Sequence, residues 1–246
     1  MKKLQITIKE QKDEECLPAC VLAAFKYWKV EITLNEIIEK ISTNSDKLYD
    51  WEFKAGELAI KKALKAKIYS NVTQLFDSSW MSLNQKELIK KLKQELNYSK
   101  KREKSIKKHL QERNSFFPNE AIAKRITKEI DSAIKFLQAG GKIDFNPISK
   151  ELIEKNIDKN IPVIASFNPT LLHRMKRGYN DLPDDIKGIS WGHEAIISGY
   201  DKNNFILSDP GGNFYKDSFS YKVNKDLLFE SILRYNGQLI IMRGES

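Results

Sequence analysis

The chain has 246 residues, 41% hydrophobic and 30% charged, with a net charge of +9. That composition describes a soluble globular protein with one substantial core and room for an inserted subdomain. It excludes a membrane-spanning protein, because no apolar run approaches the roughly 20 residues a bilayer requires, and no low-complexity tract or internal repeat is visible.

The opening residues 1–8 alternate like a strand and lack the apolar stretch of a signal peptide, so a cytoplasmic location is expected; residues 4–8 read as a short strand, followed by a loop through Glu15. A polar, acidic lead-in, 11–15, ends at Cys16. Residues 16–28 then read as a helix with Pro18 in its first turn, where a missing N–H costs little. Val21, Leu22, Ala24, Phe25 and Trp28 cover much of its circumference, which makes it central. A thiol at the mouth of a buried helix feels the positive end of the helix dipole, and its pKa is expected to fall.

Residues 33–41 form an amphipathic helix, with Thr33 and Glu36 in capping-box spacing. Residues 44–53 read as loop, 55–65 as a third helix and 67–72 as a short strand, with 76–83 irregular. The composition then changes. A lysine-rich helix runs from a cap at Ser82 or Asn84 to about residue 113, with Leu88, Leu92, Leu96, Ile106 and Leu110 as its apolar positions. Residues 114–118 break it. A second helix, 119–138, carries Ile122, Ile126, Ile130, Ile134 and Leu137 as a stripe and ends at Gly140-Gly141. The two suit an antiparallel hairpin.

Residues 86–113 hold 11 Lys or Arg against 4 Glu. A basic surface can meet nucleic acid or an acidic partner. The simpler reading is a solvated helical arm. Few aromatics, no arginine-rich face and no nucleic-acid motif weigh against nucleic acid.

In the last third a short helix, 149–156, is capped by Ser149. A strand, 161–167, has its proline near its start. A loop over 170–190 leads to a strand over 194–200, a turn at 201–204 and a returning strand at 204–208. A turn over 209–212, a segment at 213–216, a helix over 224–235 and a strand over 238–243 complete the chain. The expected fold class is α+β: a helical N-terminal half, residues 1–81, packed on an antiparallel sheet half, 142–246, with a basic helical hairpin, 82–141, inserted between them.

A nucleophilic cysteine needs a base, and the base needs an orienting group. His193 follows Trp191-Gly192 and opens an apolar strand. Asp209 ends the strand that returns beside it, so the hairpin spacing makes the two cross-strand neighbours. Each alone has an ordinary explanation: core packing for Cys16, a structural histidine, an aspartate capping its own turn. Two cysteines four apart make no disulfide framework. A zinc site would need two more ligands, and His109, His173 and His193 are far apart, so no metal and no cofactor is expected.

With these pieces in order the chain resembles the papain-like cysteine peptidases, and within them the group related to bacteriocin-processing peptidases that cut after a double glycine. The matching pieces are Gln11 with Asp13-Glu14, Cys16-Leu17-Pro18-Ala19-Cys20, Gly192-His193-Glu194-Ala195-Ile196-Ile197-Ser198-Gly199-Tyr200-Asp201, and Ser208-Asp209-Pro210, together with the 16-residue separation of His193 and Asp209. The resemblance implies a papain-like fold and a Cys-His-Asp triad acting on a peptide or protein substrate through an acyl-enzyme. Cys16 would be the nucleophile, paired as thiolate with imidazolium; His193 the base and then the acid; Asp209 its orienting group. Gln11 would be the oxyanion donor with the Cys16 N–H. Gln11 lies five residues before Cys16, where six is usual, and Leu17 stands where glycine is common. The alternative for Gln11 is a surface loop residue. Cys20, one turn beyond Cys16, reads as core packing. The residues leave open an acyltransferase or transpeptidase on the same scaffold, and an inactive binding module that uses the basic hairpin. They give no oligomeric state.

Overall fold

The computed structural model describes residues 1–12, 15–41, 51–70, 72, 75–109, 120–180, 182–235 and 237–244, the side chains of helical residues 102–109 and 120–126 excepted. In chain order the elements are β1 (Lys2–Lys3), α1 (Cys16–Tyr27), α2 (Leu34–Ile41), α3 (Trp51–Lys61), β2 (Lys65–Tyr69), α4 (Gln85–His109) and α5 (Glu120–Gln138). There follow β3 (Lys142–Asp144), α6 (Lys150–Asp158), β4 (Val163–Phe167), α7 (Pro169–Leu172), β5 (Gly178–Tyr179), β6 (Leu182–Pro183), β7 (His193–Tyr200) and β8 (Asn204–Ser208). The last are α8 (Gly212–Lys216), β9 (Ser220–Asn224), α9 (Lys225–Leu233) and β10 (Leu239–Arg243).

One eight-stranded sheet organises the chain. Its order is β3-β2-β10-β4-β7-β8-β9, with β1 added beside β7. The β2–β3 pair is parallel, and the other pairings in this sheet are antiparallel. The fold is α+β, as expected, with β1 and β2 of the N-terminal part completing the sheet. Side chains alternate across each strand, and the two faces carry separate cores. Ile164, Ile196, Ile240 and Met242 meet α1 to α5 on one face. Val163, Ala165, Ala195 and Ile197 meet Ile153 and Ile157 of α6 and Leu228 and Ile232 of α9 on the other.

Helix α1 is central for the reason its composition gives: ten of its twelve residues are buried, so it is apolar nearly all round. Helix α2 starts with the capping box read from the sequence. Glu36 Oε2 accepts from the Thr33 N–H at 2.8 Å, and Thr33 Oγ1 accepts from the Glu36 N–H at 3.2 Å. Asn84 and Glu87 make the same box at the start of α4, at 3.1 and 3.2 Å.

Several boundaries differ from expectation. The first strand is Lys2–Lys3, paired with Tyr200 and Gly199, and residues 4–8, expected as strand, lie in none. Helix α3 begins at Trp51, inside the stretch read as loop. The loop over 170–190 contains α7 and the small β5–β6 pair. Strand β9 was not anticipated. The break over 114–118, Leu110, and the side chains of Ile106, Ile122 and Ile126 lie outside the described residues, as do Asp13, Glu14 and the segment 44–50.

The base of the α4–α5 pair belongs to the main core. Leu88, Leu92 and Leu96 of α4 and Ile130, Ala133, Ile134, Phe136 and Leu137 of α5 are buried with α3 residues. Phe136 lies so close to Gly56 of α3 and to Gly141 that a Cβ at either would fall 2.6 or 2.2 Å from its ring.

Candidate active site

Three elements converge on the site. Helix α1 presents Cys16 as its first residue, preceded by Glu15, whose side chain makes no capping bond. The first amide groups of a helix have no carbonyl partner within it, so the polar end of α1 opens beside its own cysteine. Strand β7 begins at His193. Gly192 just before it passes so near Tyr235 that a Cβ would sit 1.9 Å from the phenol oxygen, and only glycine admits that approach.

His193 and Asp209 are brought together. Their Nε2 and Oδ1 atoms are 2.7 Å apart, with the residues 2% and 0% exposed. The register behind this contact differs from the expected one. Ile196 pairs with Ser208, and a bulge falls between Ile197 and Gly199, so Asp209 lies two residues off direct opposition to His193. A two-residue offset keeps both side chains on one face, and the pair meets diagonally. Asp209 Oδ1 also accepts from the Gly211 N–H at 2.7 Å, and its Oδ2 from the Tyr221 hydroxyl. Burial alone would raise this carboxyl, but the His193, Tyr221 and Gly211 contacts outweigh it and hold the carboxyl below its ordinary value.

Aromatic rings fix the imidazole. Phe167 stands edge-on at 5.4 Å and 88°, and Tyr215 at 5.1 Å and 64°. Tyr215 is itself stacked on His173, at 4.5 Å and 13°. Tyr221 links the second histidine to the site, its hydroxyl lying 3.4 Å from His173 Nε2. Burial lowers the His173 pKa to about 4, so this ring is neutral at pH 7.

Cys16 has a different partner. Its Sγ donates to Glu194 Oε2 at 2.6 Å, and among the described residues no hydrogen bond joins it to His193. Strand alternation explains this. His193 shares a face with Ala195 and Ile197, while Glu194 shares one with Ile196 and looks toward α1. The expected lowering of the thiol pKa is corrected here. Burial, then the charge and hydrogen bond of Glu194, push it well above an ordinary thiol's, and these outweigh the helix end. The thiol is therefore neutral at pH 7, and the expected thiolate–imidazolium pair is absent from this state. Cys20 lies deeper, 0% exposed, with its Sγ 3.4 Å from the Glu194 carbonyl oxygen.

Gln11 sits beside the same turn. Its N–H donates to the Pro210 carbonyl at 3.1 Å. Its side-chain Oε1 is buried without a hydrogen-bond partner among the described residues, as is Ser166 Oγ on β4. No group of three or more potential metal ligands occurs among the described residues.

Sequence reasoning missed Glu194, Tyr215, Tyr221 and His173. For Glu194 a signal was present, since it is the one charge opening the run Ala195-Ile196-Ile197. For Tyr221 the alternation of Tyr221 and Val223 with Ser220, Lys222 and Asn224 marked a strand.

The α+β scaffold with its buried His–Asp pair at a strand end resembles the papain-like cysteine peptidases. The chain belongs to the Peptidase_C39 like family, whose model matches residues 100–227, a span that includes His193 and Asp209 and lies beyond Gln11 and Cys16. No curated protein matches the chain. Among solved structures, a crystal structure described as a C39-like peptidase from Bacillus anthracis is 14% identical, with a TM-score of 0.45, over 100% of this chain and 99% of its own. Among the described residues, no helix is long and apolar enough to cross a membrane.

Proposed function

We propose that the protein is a cysteine hydrolase that cleaves a peptide or isopeptide bond, with Cys16 as nucleophile, His193 as base and then acid, and Asp209 as the orienting group. The observation that carries this reading is the buried His193–Asp209 pair at 2.7 Å, one residue along the strand from the Glu194 that touches Cys16. A carboxylate accepting from Nε2 fixes the tautomer and leaves Nδ1 as the nitrogen that takes the thiol proton.

Because the resting thiol is neutral, proton transfer belongs to the attack itself. The S–H bond breaks, the proton passes to Nδ1, and sulfur bonds to the carbonyl carbon. Charge then develops on the carbonyl oxygen. The Cys16 N–H and the Gln11 side-chain amide are the proposed donors to it, each worth about 3 kcal/mol in comparable sites. The imidazolium, facing Asp209, protonates the leaving amine. Water then attacks the thioester with His193 acting as base, and the free thiol returns.

Labelling with a peptidyl acyloxymethyl ketone tests the reading in wild type, Cys16→Ala and His193→Ala. Adduct on Cys16 in wild type, its loss in Cys16→Ala and strong slowing in His193→Ala are expected. Equal labelling of wild type and Cys16→Ala would sink the assignment.

A further inference from the structure

Glu194 has no part in the triad, yet it is the group that holds the thiol. Its carboxylate accepts from Cys16 Sγ at 2.6 Å, and its backbone oxygen lies 3.4 Å from Cys20 Sγ. The α1 face that bears both cysteines is thus fastened to this single residue. Directly opposite Glu194 on the neighbouring strand stands Ser166. Ser166 is 1% exposed, and its hydroxyl is buried with no hydrogen-bond partner among the described residues. An orphaned buried hydroxyl is costly. Directly opposed antiparallel residues have Cβ atoms about 5 Å apart on one face, within reach of a hydroxyl-to-carboxylate bond. Glu194 is only half-buried, so its side chain has room to turn.

We propose that Glu194 is a two-position latch on the nucleophile: bonded to Cys16 it keeps the thiol protonated, and turned to accept from Ser166 it frees the thiol for His193. Resting on the assignment of Cys16 as nucleophile, the latch adds a positioning residue and a pre-attack step. Release breaks the Sγ–H···Oε2 hydrogen bond and forms an Oγ–H···carboxylate bond, and no covalent bond changes. The S–H proton then passes to His193 Nδ1 as the sulfur attacks, and Glu194 takes no part in that transfer. The other ionisable groups that act on the thiol are Cys20 on α1 and Tyr215 on α8; Asp209, beyond β8, acts on Cys20, and His193 precedes Glu194 on β7. Among the described residues, Glu194 is the one whose side chain is hydrogen-bonded to it.

The test is the pH dependence of carboxamidomethylation by iodoacetamide, with the modified cysteine identified by peptide mass. In Glu194→Gln and Glu194→Ala the midpoint for Cys16 is expected to fall by at least one pH unit, which raises the rate near neutral pH by about tenfold. Ser166→Ala is expected to slow Cys16 labelling by about threefold alone and to have no effect in the Glu194→Ala background, since coupled residues are non-additive. Unchanged profiles in both Glu194 variants, with Cys16 still the labelled residue, would overturn the latch. An equal Ser166→Ala effect in both backgrounds would overturn the second position. Labelling that maps away from Cys16 and survives Cys16→Ala would instead overturn the nucleophile assignment.

Discussion

At the scale of single residues, three side chains carry separable consequences. Asp209→Asn preserves shape but removes the charge that faces the imidazole. Turnover of a peptide substrate is expected to fall at least about 10²-fold, and an unchanged rate would remove Asp209 from the mechanism. Gln11→Ala is expected to lower kcat by about 10²-fold if its amide serves the oxyanion; a surface loop residue would leave kcat unmoved. His173 gives a pH signature. Burial lowers its pKa to about 4, whereas an unfolded histidine titrates near 6.5. As pH falls below about 6.5 the unfolded chain takes up a proton that the folded ring refuses, so stability declines until about pH 4. Above that window the contribution is fully present. Thermal unfolding across this range is expected to show a falling melting temperature, with a shallower slope in His173→Asn. Equal slopes would mean that the ring titrates alike in both states.

At the scale of elements, the legible parts were those governed by local chemistry. Thr33 and Glu36 announced α2, and the structure makes both reciprocal bonds. Thr33→Ala is expected to cost about 1 kcal/mol in denaturant unfolding. The apolar circumference of residues 16–28 placed α1 in the core. The turn at 201–204 was written in Asp201, whose Oδ1 accepts from the N–H groups of Asn203 and Asn204 at 3.0 and 2.8 Å. The illegible parts depended on partners distant in sequence. Tyr200 pairs with Phe205 across the 201–204 turn and the bulge in β7 then shifts the register by one residue, which leaves Asp209 two residues off opposition to His193, and the residues of neither strand announce that bulge. The partner of Cys16 was equally hidden, because 178 residues separate it from Glu194. The helix dipole, a local effect, pointed to a lowered thiol pKa, and a burial set by tertiary packing reversed it.

At the scale of the molecule, the basic helical pair is tied into the fold at its base. Leu92 is 0% exposed in the core shared with α3 and α5. Leu92→Ala is expected to cost about 2–5 kcal/mol and to shift one cooperative transition; loss confined to a separate early transition would make the pair an independent unit. Gly141→Ala would drive a methyl into the Phe136 ring, with an expected cost of about 1–3 kcal/mol. The same core places α1 against β7, which brings Cys16 to Glu194 from near opposite ends of the chain.

The most direct measurement of the central claim is intact-mass analysis after mixing with an activated acyl ester, with the adduct mapped to its residue. The expected result is a transient thioester on Cys16, absent in Cys16→Ala and slow to form in His193→Ala. An acyl adduct on any other residue, or one on Cys16 whose formation and decay ignore His193, would contradict it.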